Sequence, residues 1–282
     1  MPNSNNKTSN LQMVVTDLDG TLLSSEGKVS NTDFSTLVAL GKKGIIRVIA
    51  TGRNPYSFSK VIPPDFPIDY LIFSSGAGAM EWKTKKLLYT SELNGFCVQS
   101  VVDKLMENGV DFMVHEPIPA NHRFLYFHGH THNPDFERRI ELYKNFCQPY
   151  IPGVVYDTPA SQILAVLPHN VELFDNLKNL FPDLKVIRAT SPIDGHSIWM
   201  EIFSNHVSKA YGIEQICEIH SIPINRVVAI GNDFNDLDML SYVPRSFVVE
   251  NSPQELRSSF ITVKSNNDSG FSDAVLRVIG NR

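Results

Sequence analysis

Asp17 and Asp19 stand two positions apart in the run VVTDLDGTLL, residues 14–23. In an extended chain, positions i and i+2 point to the same side. The two carboxylates therefore share a space, and Leu18 turns away from it. Two unit charges roughly 4 Å apart repel by about 4 kcal/mol at an effective dielectric of about 20. The pair needs positive charge between or beside it. GNDFND, residues 231–236, brings Asn232, Asp233, Asn235 and Asp236 together, and oxygen ligands gathered in this way suit a hard cation such as Mg²⁺. Lys209 adds a fixed positive charge. Thr51-Gly52-Arg53 supplies a hydroxyl and free backbone N–H groups before a helix, an arrangement that cradles anions. Together these parts fit phosphoryl transfer. Carboxylates and Mg²⁺ hold a phosphate, while Thr51 and Lys209 neutralise its oxygens. Asp17 is then the nucleophile that forms an aspartyl-phosphate. Asp19 donates a proton to the leaving alcohol and later takes one from the attacking water.

These residues are useful only if the chain brings them to one edge. MVVTD (13–17), IIRVIATG (45–52), YLIFSSG (70–76), VVAIGND (227–233) and SFVVEN (246–251) are short runs, apolar on both faces, as parallel strands buried by helices are. NTDFSTLVALGKKG separates the first two runs, with Phe34, Leu37, Val38 and Gly41 on one helical face and Gly44 as a stop. SKAYGIEQICEIHSI precedes the fourth run in the same way, with Lys209 near its start. Strand, helix, strand at this pace predicts an α/β core with a Rossmann-like parallel sheet and right-handed crossovers. Ligands in such sheets bind at the carboxyl ends of the strands, where the acids, Thr51 and GNDFND fall. From 84 to 204 the polar strand ends disappear. Helical patterns alternate there with VDFMVH, RFLYFH, SQILAVLP, LKVIRAT and SIWMEIF, several of them alternating in polarity. This predicts a catalytic core of 1–83 and 205–282, with an inserted α+β cap domain at 84–204.

DLDGTLL, TGR, Lys209 and GNDFNDLDML, in that order, resemble the four motifs of the haloacid dehalogenase-like hydrolases. The insertion resembles the large α+β cap of their Cof-type subclass. The resemblance spans nearly the whole chain. It implies a Mg²⁺-dependent phosphatase for small phosphorylated metabolites, often sugar phosphates. It also implies that Asp17 is the nucleophile and Asp19 the acid/base, with the Asp19 backbone carbonyl on the metal. Thr51 and Lys209 would form the phosphate clamp, with Asn235 assisting, and Asp236 would act on the metal through water. Two positions depart from the pattern. Asn232 stands where aspartate usually follows the glycine, which bears on metal affinity. Ser75-Gly76 stands where the third strand usually ends in Asn-Gly, which bears on one polar contact to the substrate.

Other features carry less. DLDGT alone reads equally as a turn, Thr51-Gly52 as a helix cap and Lys209 as a surface lysine; the order of the four motifs raises all three. HGHTH, residues 128–132, alternates His128, His130 and His132, but Gly129 and Asn133-Pro134 favour a solvated turn first and a substrate-facing cap loop second, both ahead of a metal site. SSGAGAM lacks the third glycine of a dinucleotide fingerprint. The 282 residues carry 42% hydrophobic side chains and a formal net charge of −5, which gives no basic field for nucleic acid. No run is apolar enough for a membrane span, and the polar start MPNSNNKTSN lacks a signal peptide's apolar core. Cys97, Cys147 and Cys217 are three and far apart, so they read as free thiols of a cytoplasmic protein. On that ground the sequons at Asn6 and Asn267 are coincidental. A phosphomutase on the same fold and a non-catalytic phosphometabolite-binding regulator are the alternative functions. The identity of the substrate and the oligomeric state are not legible.

Overall fold

The computed structural model describes residues 11–129, 132–155 and 157–280. His130 and the Asn6 sequon lie outside them. The strands in chain order are β1 (Met13–Thr16), β2 (Ile46–Ala50), β3 (Tyr70–Phe73), β4 (Gly78–Glu81) and β5 (Leu87–Thr90). Then come β6 (Phe112–His115), β7 (Phe124–Phe127), β8 (Cys147–Pro149), β9 (Gln162–Leu167), β10 (Lys185–Thr190) and β11 (Ile198–Phe203). The chain closes with β12 (Val227–Gly231), β13 (Ser246–Val249) and β14 (Ile261–Val263).

Two sheets result. The first has the order β14-β13-β12-β1-β2-β3-β4-β5, parallel from β14 to β3 and antiparallel for the last two. Its strands are apolar on both faces because both faces are covered. Val14 joins one core cluster and its neighbours Met13 and Val15 the opposite one. β1 lies between β12 and β2, so the ends carrying Asp17, Thr51 and Asn232 meet at one edge. The strand order reverses there, the usual place for a ligand. The helix Asn31–Lys42 packs through Leu37 and Leu40, while Phe34 is 44% exposed and only edges against Phe66. The expected apolar face was thus rotated by part of a turn.

The second sheet has the order β10-β11-β9-β6-β7-β8, with every pair antiparallel except β7–β8. One face packs on the helices Gly95–Glu107 and Val171–Lys178, through Val98, Val101 and Leu177. Met113, Leu164 and Trp199 of the other face cluster with Phe136 of the helix Pro134–Leu142. β5 belongs to the first sheet, although it falls within the 84–204 span, so the second layer begins beyond Thr90. His128 of the histidine run lies against Phe136 and 4.0 Å from Asp111, and His132 faces Glu137 at 3.1 Å.

Candidate active site

Asp17 follows β1 directly and is tied to β12 by its own N–H, which donates to the Ile230 carbonyl at 2.8 Å. Lys209 opens the helix Lys209–His220, whose first turn is capped by the Ser208 hydroxyl. The lysine is fully buried and spans two carboxylates, Asp17 Oδ1 at 2.7 Å and Asp236 Oδ1 at 2.5 Å. Gly76 lets this happen. Its φ is +104°, and a β-carbon there would fall 2.1 Å from the Ser208 carbonyl oxygen. Only glycine allows the end of β3 to pass the start of that helix. Burial pushes the Asp17 carboxyl up to about 7, with the Asp236 charge adding to it and Lys209 opposing. Burial pulls the lysine down, but the two carboxylates outweigh it and the net shift is upward.

Asp236 has a second task. Its Oδ2 accepts from the N–H groups of Asn232 at 2.8 Å and Asp233 at 3.1 Å, which folds GNDFND into a tight turn. Within that turn, alternation separates the neighbours. Asn232 faces Asp17, while Asp233 turns outward and accepts from the Thr190 N–H at 2.8 Å and its hydroxyl at 3.1 Å. The two orientations of the Asn232 amide are isosteric, and the one with nitrogen inward satisfies its neighbours. In it, Nδ2 donates to Asp17 Oδ2 at 3.1 Å, the Asp19 backbone carbonyl at 3.0 Å and Thr21 Oγ1 at 3.0 Å.

That convergence tests the fit to a metal. Asp17 Oδ2 and the Asp19 carbonyl are two oxygens aimed at one point, and turning the amide over would add Asn232 Oδ1 as a third. Asp17, Asp236 and Lys209 together carry one more negative charge than positive. An oxygen set with a charge deficit suits a hard divalent cation. Among the described residues no three His, Cys, Asp or Glu side chains cluster as ligands. Two of the donors here are a backbone carbonyl and an amide, which are not in that class.

Asp19 is gripped by Arg53, with Nε to Oδ2 and the second nitrogen to Oδ1, both at 2.7 Å. Arg53 belongs to the Thr51-Gly52-Arg53 run, but its two-pronged hold on Asp19 was not anticipated. Its place directly after the cradle was the available signal. Thr51 is buried, and its hydroxyl accepts from the Arg53 N–H at 3.1 Å, so its own proton remains free for an anion. Gly52 lies beside Asn235. A β-carbon at Gly52 would fall 3.7 Å from Asn235 Nδ2 and 3.8 Å from Glu201 Oε1.

Glu201 was also missed. It stands on β11, 4% exposed, and reaches the end of β3, where Ser75 Oγ donates to it at 2.6 Å. Burial pushes its carboxyl up, against that hydrogen bond and the charges of Lys209 and Arg139. Ser74 and Ser75 both hold positive φ, 48° and 55°. This turns their hydroxyls toward the second sheet, with Ser74 Oγ accepting from Asn121 Nδ2 at 2.9 Å. A cavity of about 1200 Å³ joins the two layers. Asp17, Asp19, Thr51, Gly52, Asn232 and Asn235 line it from the edge of the first sheet, and His115, Gln162, Trp199 and Glu201 from the second, with Arg139 reaching in from the helix Pro134–Leu142. Lys209 stands behind Asp17.

Comparison with known proteins agrees with this fold. The family profile described as haloacid dehalogenase-like hydrolase matches residues 14–275. The 5-amino-6-(5-phospho-D-ribitylamino)uracil phosphatase YwtE of Bacillus subtilis is 23% identical over 281 residues, covering 92% of this chain and 95% of its own. Among solved structures, BT1666 from Bacteroides thetaiotaomicron, one of the phosphatases of the haloalkanoate superfamily, superposes with a TM-score of 0.80 at 19% identity, covering 97% of each chain. The subclass IIB sugar phosphatase BT4131 superposes with a TM-score of 0.75 at 17% identity, covering 95% of this chain and 99% of its own. With the profile spanning most of its length and the fold shared end to end, the chain belongs to the haloacid dehalogenase-like hydrolases of the Cof type.

Proposed function

We propose that this protein is a phosphomonoesterase for small phosphorylated metabolites, sugar phosphates among them, working through an aspartyl-phosphate on Asp17. The observation that carries the reading is the pairing of two differently held carboxylates on one cavity. Asp17 is buried against Lys209, and Asp19 is gripped by Arg53. An oxygen of Asp17 attacks phosphorus, and the bond to the leaving oxygen breaks. Asp19, which must first let go of Arg53 and take up a proton, gives that proton to the leaving oxygen, so the product leaves as a neutral alcohol. In the second half Asp19 takes a proton from water, the hydroxide attacks phosphorus, and the Asp17–phosphorus bond breaks to release phosphate. Thr51, the Gly52 backbone, Lys209 and Asn235 receive the phosphoryl oxygens. Mg²⁺ fits at Asp17, the Asp19 carbonyl and Asn232, with Asp236 ordering the turn behind them. When bound, it would neutralise charge on the phosphoryl oxygens.

The segment 84–204, counted from beyond Thr90 by its sheet, acts as a cap that sorts substrates by fit and excludes water. Three free cysteines support a reducing, cytoplasmic setting. Among the described residues no helix is long and apolar enough to cross a membrane.

The test is turnover of p-nitrophenyl phosphate with MgCl₂ by wild type and Asp17→Asn. The amide is nearly isosteric but is not a nucleophile, so activity is lost while the far-UV circular dichroism is unchanged. Hydrolysis by pure Asp17→Asn protein would overturn the covalent route.

A further inference from the structure

The floor of the cavity carries donors and acceptors that phosphate chemistry leaves unused. Alternation along the second sheet sets His115, Gln162 and Glu201 on the same face as Met113, Leu164 and Trp199. His115 and Gln162 are directly paired across β6 and β9. His115 is 2% exposed. Its Nδ1 lies 2.9 Å from the Asn121 carbonyl, so Nδ1 carries the proton and donates. The other nitrogen, Nε2, is then a bare acceptor, and it has no partner among the described residues. Burial holds the ring neutral, with the Arg139 charge adding to the effect.

Arg139 comes from the helix Pro134–Leu142, which crosses this face. Its guanidinium lies 4.4 Å from the Trp199 ring centroid and 5.3 Å from that of Tyr143. The aromatic faces hold the fork, but its buried Nε has no hydrogen-bond partner among the described residues. Among the described residues no carboxylate lies within ion-pair distance of it. A guanidinium half-buried in the cavity wall without an oxygen partner is free to take one, and the planar fork is suited to a carboxylate or phosphate. Glu201 lies between the two ends of the site. It neighbours Gly52 of the phosphate cradle, and it feels the charges of both Lys209 and Arg139.

We infer that the cap floor recognises the alcohol half of a polyhydroxylated phosphate ester that bears a second anionic group, with Arg139 taking that anion while His115 Nε2 and Glu201 accept hydroxyl protons. This rests on the phosphomonoester reading for the reacting end alone. A neutral sugar phosphate would leave Arg139 without its partner. An ester with an anion but no hydroxyls would set Glu201 and His115 against nothing they can accept from.

Three matched six-carbon esters separate the elements: glucitol 6-phosphate, gluconate 6-phosphate and glucitol 1,6-bisphosphate. The first is neutral at the far end, the second ends in a carboxylate and the third in a phosphate. Binding to Asp17→Asn protein in MgCl₂ is measured by calorimetry, so the result does not depend on turnover. A charge-assisted contact predicts that at least one of the two anionic esters binds about tenfold or more tightly than glucitol 6-phosphate. The preferred one identifies the anion. In Arg139→Met the preference collapses toward unity, and Arg139→Lys, which keeps the charge but not the fork, restores part of it. Thermal melting confirms that both variants fold. Equal affinity for all three esters, or a preference that survives Arg139→Met, overturns the inference. Wild-type turnover of p-nitrophenyl phosphate judges the phosphatase reading separately, so either conclusion can fall while the other stands.

Discussion

His115 to asparagine is a perturbation whose size follows from burial. The ring is enclosed against Phe124, with centroids 5.0 Å apart, and burial lowers its pKa from 6.5 to about 3. The unfolded chain binds this proton below 6.5, and the folded one does not until about 3. Unfolded protein therefore holds more protons through that window, and stability falls as pH falls. The contribution is fully present above 6.5 and is lost progressively on the way to 3. At about pH 5 the loss from this one group is about 2 kcal/mol relative to about pH 7.5. Asparagine can still donate to the Asn121 carbonyl but has nothing to protonate. Lost packing lowers the variant's stability equally at both pH values, so the readout is the difference between them. Urea unfolding followed by tryptophan fluorescence suits the purpose, because Trp199 shares the sheet face with His115. His122 is also lowered, by burial and by Arg123, but it is present in both proteins and cancels. Wild type is expected to lose about 2 kcal/mol more than His115→Asn between the two conditions. An equal loss in both proteins refutes the buried neutral ring and removes the hydroxyl acceptor proposed at Nε2.

Two further outcomes concern the reacting end. Asp19→Asn is expected to lose nearly all turnover, by about tenfold or more beyond the p-nitrophenyl ester's loss when the substrate is an alkyl phosphate, whose leaving group needs the proton; equal losses on both substrates would remove Asp19 from the acid role. Asn232→Asp puts a charged oxygen against Asp17 Oδ2 and the Asp19 carbonyl, so calorimetric Mg²⁺ titration of substrate-free protein should show affinity rising by about tenfold or more, while Asp233→Asn leaves it within about twofold. The reverse pattern would mean that Asp233, not Asn232, faces the metal.

The parallel sheet was readable because its strands are apolar on both faces and end in polar residues, a pattern that few other arrangements produce. The same pattern located Asp17, Thr51 and Asn232. The 84–204 boundary was not readable at its start. LLYT of β5 is an antiparallel edge strand with half-exposed residues, and only its pairing with β4 assigns it to the first sheet. Phe34 misled because an exposed phenylalanine fits the same helical spacing as a buried one. Glu201, His115 and Gln162 left a signal that was not used. Each is the polar residue of an otherwise apolar strand (IWMEIF, FMVH and QILAVL), and each alternates onto the same face as its large apolar neighbours. A lone polar side chain among buried ones must be satisfied or functional. The grip of Arg53 on Asp19 had no periodic signature, since it depends on two strand ends meeting.

The two departures from the family pattern, Ser75 and Asn232, stand at strand ends that are tied to the second sheet, Ser75 by its own hydroxyl and Asn232 through its neighbour Asp233. Ser75 stands at the end of β3, and its hydroxyl goes to Glu201 of the second sheet. Asp233 follows Asn232 after β12 and holds Thr190 at the end of β10. Ser74 adds a third link, to Asn121. All three links begin at carboxyl ends of parallel strands, the edge that also carries Asp17 and Thr51. These links tie the second sheet's layer to the edge that carries Asp17 and Thr51. Holding Ser74 and Ser75 in the left-handed region costs about 1–2 kcal/mol each. An Asn-Gly ending would relieve part of that strain, but it would remove the Ser75 hydroxyl that reaches Glu201. Glu201 in turn lies near Gly52, whose β-carbon would fall 3.8 Å from its Oε1, so one side chain of the second sheet reaches the edge of the first. On the phosphatase reading proposed above, a substrate with its phosphate at Thr51 and its hydroxyls on Glu201 would be measured from a single fixed point, which is the physical requirement for a cap that discriminates by the length and charge of the leaving group.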